Sequence, residues 1–293
     1  MSVKISVPAT SANVGIGFDC LGMAVTLYSH FTFDRAEALT ITGCPEEFCN
    51  QDNLVYRSFV AALEHWGEAP FPISIHIDAH IPVARGLGSS SACTVAGIMA
   101  AAALTGRIIG RQEAVSIATA MEGHPDNVAP AIMGSLVCSY TPEGDLPQCI
   151  RYDVNHHLHF VTVIPPYEVH TEDARKVVPH TVSLHDAVWQ MGRISGMARG
   201  LETGDAKLIA TACQDRIQEP YRKDLIPDYD AVRDLCMAGG AIALWISGSG
   251  STMMAATDDG LIAESLRARI QSMFPDFEVL VLDCDTKGVQ ISL

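Results

Sequence analysis

The chain predicts an α+β fold in two domains, spanning 1–164 and 165–293. Three observations predict it. Strand and helix patterns mix along the chain without the regular strand–helix repeat of a doubly wound sheet. The length, 293 residues, at roughly 100–200 residues per domain suggests two units. Pro165-Pro166, at the end of an apolar strand pattern, reads as a crossover between them.

Alternating apolar residues predict strands over 3–7, 25–33, 73–77 and 158–164, and helical spacing predicts helices over 53–65, 112–121 and 184–201. Gly106 and Gly123 stand where helices should stop, and Ser183-Leu184-His185-Asp186 reads as a helix-capping start. Beyond Pro166 the pattern gives helices through Cys236, a strand over 241–246, a glycine turn, a strand over 252–256, a helix over 261–273 and a strand over 278–282. No internal repeat or low-complexity tract interrupts it.

Composition narrows the function classes. The chain is 48% hydrophobic and 18% charged, with 34 acidic against 19 basic residues and a net charge of −15. Without a Lys/Arg cluster it gains little from counterion release, so nucleic acid is not an expected partner. Its most apolar run, 95–104, is shorter than the roughly 18 residues a membrane helix needs, and its first residues lack a charged, apolar leader. The expectation is a cytoplasmic protein without a membrane partner. Nine scattered cysteines without a C-x-x-C pair read as reduced thiols, and the eleven histidines lack paired metal spacing.

The segment Ile81-Pro82-Val83-Ala84-Arg85-Gly86-Leu87-Gly88-Ser89-Ser90-Ser91-Ala92 leads straight into an Ala-rich helical run. Two glycines allow a tight turn, and the serines open a helix whose free N–H groups face the loop. That is an anion site built from backbone. It is neither a Walker A loop nor a dinucleotide fingerprint, since the lysine and the last glycine are missing. A Gly/Ser turn that merely caps a buried helix is the bland alternative.

This arrangement is similar to the phosphate loop of the GHMP small-molecule kinases. Two more segments resemble the same family at the matching places: the N-terminal Pro8-Ala9-Thr10-Ser11-Ala12-Asn13-Val14-Gly15-Ile16-Gly17-Phe18-Asp19 and the C-terminal Trp245-Ile246-Ser247-Gly248-Ser249-Gly250-Ser251-Thr252. With Glu122-Gly123-His124-Pro125-Asp126-Asn127, the first of these resembles the branch that acts on homoserine. The resemblance spans the chain. It implies an N-terminal domain like ribosomal protein S5 domain 2, a ferredoxin-like C-terminal domain, and a homodimer. It also implies ATP-dependent phosphorylation of the side-chain hydroxyl of L-homoserine, on the route to threonine.

The resemblance further implies roles. Residues 82–92 would bind ATP, and Ser90 and Glu122 would hold Mg²⁺, which favours hard oxygen ligands. Asn13, Asp19, His124, Arg175 and Arg222 would bind the substrate. A zwitterion needs an acidic and a cationic group in one pocket, and a planar guanidinium can hold a carboxylate with two hydrogen bonds. Asn127 and Thr171 would be catalytic, with Asn127 orienting the hydroxyl and Asp126 as the neighbouring candidate base. A kinase for another small alcohol and a catalytically silent ligand sensor are the competing readings.

Overall fold

The computed structural model describes residues 2–292. Its first part holds β1 (Val3–Ala12), β2 (Leu21–Arg35), β3 (Thr40–Thr42), β4 (Ile73–Asp78), β5 (Leu136–Tyr140) and β6 (Gln148–Tyr152). Among them run helices α1 (Leu54–His65), α2 (Ser89–Thr105), α3 (Arg111–Glu122) and α4 (Val128–Met133). The second part runs β7 (His159–Ile164), α5 (Thr171–Lys176), α6 (Leu184–Thr203), α7 (Ala206–Ala212), α8 (Glu219–Arg222) and α9 (Tyr229–Ala238). It continues through β8 (Ala243–Ile246), β9 (Met253–Thr257), α10 (Gly260–Met273), β10 (Glu278–Leu282) and β11 (Gln290–Ser292).

The elements expected from periodicity are present, several of them longer than the pattern alone suggested. Gly106 and Gly123 close α2 and α3 in the left-handed conformation, and the Ser183 hydroxyl accepts from Asp186 N–H at the start of α6. β1 runs to Ala12 because the register against β2 shifts between Pro8 and Ala9. Proline cannot donate to a ladder, so a bulge there lets the strand continue. On the edge opposite β1 the long β2 serves two partners: Leu21, Gly22 and Met23 pair with β5, and residues 30–35 pair with β4.

The first sheet runs β11-β1-β2-β4-β3, with β5 on β2 and β6 on β5. The second runs β10-β7-β9-β8, all antiparallel. Numbered within that unit the order is 4-1-3-2, with α9 before its second strand and α10 before its fourth, which is the ferredoxin-like arrangement. The sheets do not divide at Pro165. β7, which precedes that residue, already pairs in the second sheet, and β11 returns from the far end of the chain to β1. Strand pairing outweighs the local proline signal there.

Each face of the second sheet belongs to a different core. Phe160, Trp245, Met254 and Ala256 join the core of the first sheet, whereas Val161, Leu244, Ile246 and Ala255 pack with Val232, Leu266 and Ile270 from α9 and α10. The period-2 alternation of a strand does this directly. Trp245 is fully buried, meets Phe160 edge-on at 6.2 Å, and donates from Nε1 to Ser11 Oγ at 3.1 Å. It therefore joins the two sheets at the residue next to the end of β1. Trp245→Ala should lower unfolding free energy by about 3–5 kcal/mol, the range for a large aromatic lost from a core, measured by urea denaturation. A loss under about 1 kcal/mol would show that the sheets are joined elsewhere.

Candidate active site

Three turns meet at the end of β1. Thr10 N–H donates to Leu87 O at 3.1 Å, tying the 82–88 loop to the strand, and Gly248 N–H donates to Ala12 O at 3.1 Å. The Asn13 amide donates to Gly248 O at 2.9 Å and accepts from Asp19 N–H at 3.1 Å. The 247–252 turn then holds the 82–88 loop from beneath: Ser247 Oγ donates to Gly86 O at 2.6 Å and Thr252 N–H to Arg85 O at 3.2 Å. Arg85 spends its own guanidinium on the crossover, donating to Pro165 O at 3.1 Å and Pro166 O at 2.8 Å and pairing with Glu168 at 3.2 Å.

Gly88 has φ +71° and caps α2. A Cβ there would collide with the Thr10 hydroxyl and crowd Asn127 Oδ1, so only glycine lets the loop approach β1 this closely. The first bond from the loop into the α2 ladder is Ala92 N–H to Gly88 O at 2.9 Å. The N–H groups of Ser89, Ser90 and Ser91 are therefore left for an anion at the positive end of a 17-residue helix.

One cavity of about 860 Å³ gathers the expected residues. Pro82 through Ser91, Glu122, His124, Asn127, Asn13, Asp19, Thr171, Arg175 and Arg222 all line it, together with Asp126. Ala92 does not. Its side chain is buried in the core and its N–H is already bonded, so that position is corrected from a ligand contact to a packing residue.

Ser90 Oγ donates to Glu122 Oε1 at 2.9 Å, and Thr94 Oγ1 donates to the same oxygen at 2.7 Å. Thr94 lies one turn past Ser90, a spacing that puts both on one face of α2. That spacing was a usable signal for it. Carboxylate and hydroxyl oxygens thus converge beside the helix terminus, an all-oxygen donor set that suits Mg²⁺ once phosphate and water complete it. Among the described residues no three His, Cys, Asp or Glu side chains gather to form a metal site by themselves.

At the other wall, Arg175 from α5 holds Asp19 with two parallel bonds, each 3.0 Å. Arg222 is 3% exposed and donates to Ala174 O at 3.1 Å, Gly248 O at 3.0 Å and Gln218 Oε1 at 3.1 Å. Among the described residues no carboxylate pairs with it at ion-pair distance. Burial brings its pKa down to about 10, with the nearby Asp19 charge opposing, so it stays a cation at neutral pH with its charge uncompensated by direct contact. Gln218, which anchors it, carried no sequence signal.

Asp126 is buried, and its Oδ1 meets His124 Nδ1 at 2.9 Å. Gly22 makes room for this turn, since a Cβ there would strike Asp126 O. Thr10 Oγ1 donates to Asn127 Oδ1 at 2.8 Å. The remaining end of the cavity is apolar, walled by Phe31, Pro45, Phe48, Leu54 and Ile77. Sequence reasoning missed it, because these residues come from separate strands and turns.

Residues 53–135 match the family described as GHMP kinases N terminal domain, and residues 197–276 match GHMP kinases C terminal. A homoserine kinase of Clostridium botulinum (strain Alaska E43 / Type E3) is 39% identical over 293 residues, covering 98% of this chain and 97% of its own. The chain belongs to the GHMP kinases. A homoserine kinase of Microchaete diplosiphon is also 39% identical, over 98% of this chain and 96% of its own. The crystal structure of homoserine kinase from Cytophaga hutchinsonii superposes with TM-score 0.89 at 31% identity, covering 99% of this chain and 97% of that one. This GHMP kinase shares the fold alone with Methanococcus jannaschii mevalonate kinase, at TM-score 0.72 and 11% identity over 96% of this chain and 98% of that one.

The Asp126 hydrogen bond raises the His124 pKa above its ordinary 6.5, against burial, which lowers it. A folded-state pKa above the unfolded one means that the pair stabilises fully below pH 6.5, and that this contribution is lost as pH rises through the folded midpoint. The His124 ring resonances should titrate above 6.5 by NMR, and Asp126→Asn should bring the midpoint down. A parent midpoint at or below that value would contradict the pairing.

Proposed function

We propose that this GHMP kinase transfers the γ-phosphoryl group of ATP to the side-chain hydroxyl of L-homoserine, giving O-phospho-L-homoserine and ADP, a step toward threonine. The observation that carries the reading is the Asp19–Arg175 pair, beside the buried Arg222, in the same cavity as the Ser89–Ser90–Ser91 helix terminus. An α-amino acid brings one ammonium and one carboxylate. It can replace the single ion pair with two, ammonium on Asp19 and carboxylate on Arg175 and Arg222, while its side chain reaches toward Asn127. The curated relatives named for homoserine support the same substrate.

In this reading the apolar end by Phe31, Phe48 and Leu54 takes the purine, and the free N–H groups of α2 take the phosphates. Ser90 and Glu122 are the residues that would hold Mg²⁺, which when bound neutralises charge on the triphosphate. Asn127 orients the acceptor hydroxyl, and Thr171, at the start of α5, adds a hydroxyl to the same cleft. The hydroxyl oxygen attacks Pγ, the Pγ–O bond to ADP breaks with its electron pair leaving on ADP, and the hydroxyl proton passes to an oxygen of the transferred group and on to solvent. An amide cannot take that proton near neutral pH. Asp126 is engaged by His124. With a loose transition state, positioning and charge neutralisation carry the reaction without a side-chain base. We place the enzyme in the cytoplasm as a homodimer, with its nine free thiols suited to a reducing compartment.

An ADP-release assay with a panel of hydroxyl substrates tests the reading: homoserine should give the highest kcat/KM, and turnover confined to another alcohol would replace it. Arg175→Ala and Arg222→Ala should each weaken homoserine binding by about 2–5 kcal/mol, the cost of leaving a buried charge without its partner, with little change for ATP. An amino alcohol without the carboxylate should be a poor substrate of the parent and lose little more in either variant. Equal losses for both compounds would place the arginines on the nucleotide or the fold.

A further inference from the structure

Thr10 has no exposed surface, and a hydroxyl buried that deeply needs a partner. Its neighbour Ser11 is buried too, but accepts from the Trp245 indole and so serves the packing of the two sheets. Thr10 instead donates to a side chain that lines the cavity, Asn127, at 2.8 Å. Its backbone N–H meanwhile donates to Leu87 O in the phosphate loop, and its hydroxyl lies against the Cα of Gly88. One residue therefore touches both halves of the proposed reaction centre.

We propose that Thr10 is a positioning residue for phosphoryl transfer, fixing the Asn127 amide in orientation and in register with the phosphate loop. The proposal rests on the reading of Asn127 given above. With Oδ1 engaged by Thr10, Asn127 Nδ2 is the end left for the cleft, and it makes no hydrogen bond with any described residue. Asn127 then meets the acceptor hydroxyl as a donor. The hydroxyl oxygen accepts that N–H, its own proton is directed away from the amide, and a lone pair remains for Pγ. Because the same threonine grips Leu87, a shift of the loop carries Asn127 with it, and the distance between acceptor and donor phosphate is held constant.

The test uses Thr10→Val, which keeps the shape and removes the donor, with Thr10→Ser, Asn127→Ala and the Thr10→Val/Asn127→Ala double variant. Thr10→Val should lower kcat with homoserine by about 10- to 100-fold, the scale of a small misplacement of reacting groups, while the KM for ATP stays within about twofold of the parent. Thr10→Ser should recover most of the loss. In the Asn127→Ala background Thr10→Val should cost under about twofold, since the group it positions is gone. An unchanged kcat in folded Thr10→Val, or a full multiplicative loss in the double variant while Asn127→Ala alone is impaired, would overturn the positioning role and leave Asn127 standing. Full activity in Asn127→Ala would instead overturn the reading of Asn127 and this proposal with it. Thr10→Ala is the second hydroxyl-free variant, and failure of both to fold beside a folded Thr10→Ser would assign the hydroxyl to stability instead.

Discussion

The hydrogen bonds at the end of β1 are the constraint on which the cleft depends. Thr10 N–H to Leu87 O, Gly248 N–H to Ala12 O and Asn13 Nδ2 to Gly248 O bind the first-sheet loop and the second-sheet turn to one strand end. Two glycine-rich segments lie far apart in the chain, and neither would hold its shape alone. Ser247 and Thr252 lock them to each other through Gly86 and Arg85. The α2 terminus, Asn127, Asp19 and Arg222 then take their places from this junction, with Trp245 pinning the second sheet beneath Ser11.

Electrostatics in the cleft runs against the protein as a whole. A chain with net charge −15 repels polyanions at long range, yet free backbone N–H groups and a helix dipole give the α2 terminus a local positive potential that needs no lysine. On the opposite wall the charges are few and mostly spoken for. Asp19 and Arg175 neutralise each other, while Arg222 is held by neutral acceptors in a desolvated position. That leaves one buried cation with no direct counter-charge, the feature a carboxylate-bearing substrate would satisfy.

Much of this was legible in the sequence where the signal was local. The GLGSSS run announced the turn, the helix start and the free N–H groups in six residues, and Gly106, Gly123 and Ser183 marked helix ends correctly. Signals that depend on distant partners were not legible. The short, largely buried β5 and the half-exposed β6 carry weak alternation and exist because β2 offers its first residues as an edge. Pro165 read as the domain crossover, yet β7 before it pairs with β9 and β10. Arg222 looked like any charged residue until Gln218, Ala174 and Gly248 closed around it. The apolar end of the cavity draws on four separate stretches of chain, and no periodicity announces such a meeting.

The most direct test of this account is a crystal structure with a non-hydrolysable ATP analogue and L-homoserine bound together. The account predicts the terminal phosphates on the N–H groups of Ser89, Ser90 and Ser91 and the amino-acid ammonium on Asp19. It places the carboxylate on Arg175 and Arg222, and the hydroxyl in line with the γ-phosphate beside Asn127 Nδ2. A triphosphate seated away from the α2 terminus, or a homoserine carboxylate that leaves both arginines untouched, would contradict it.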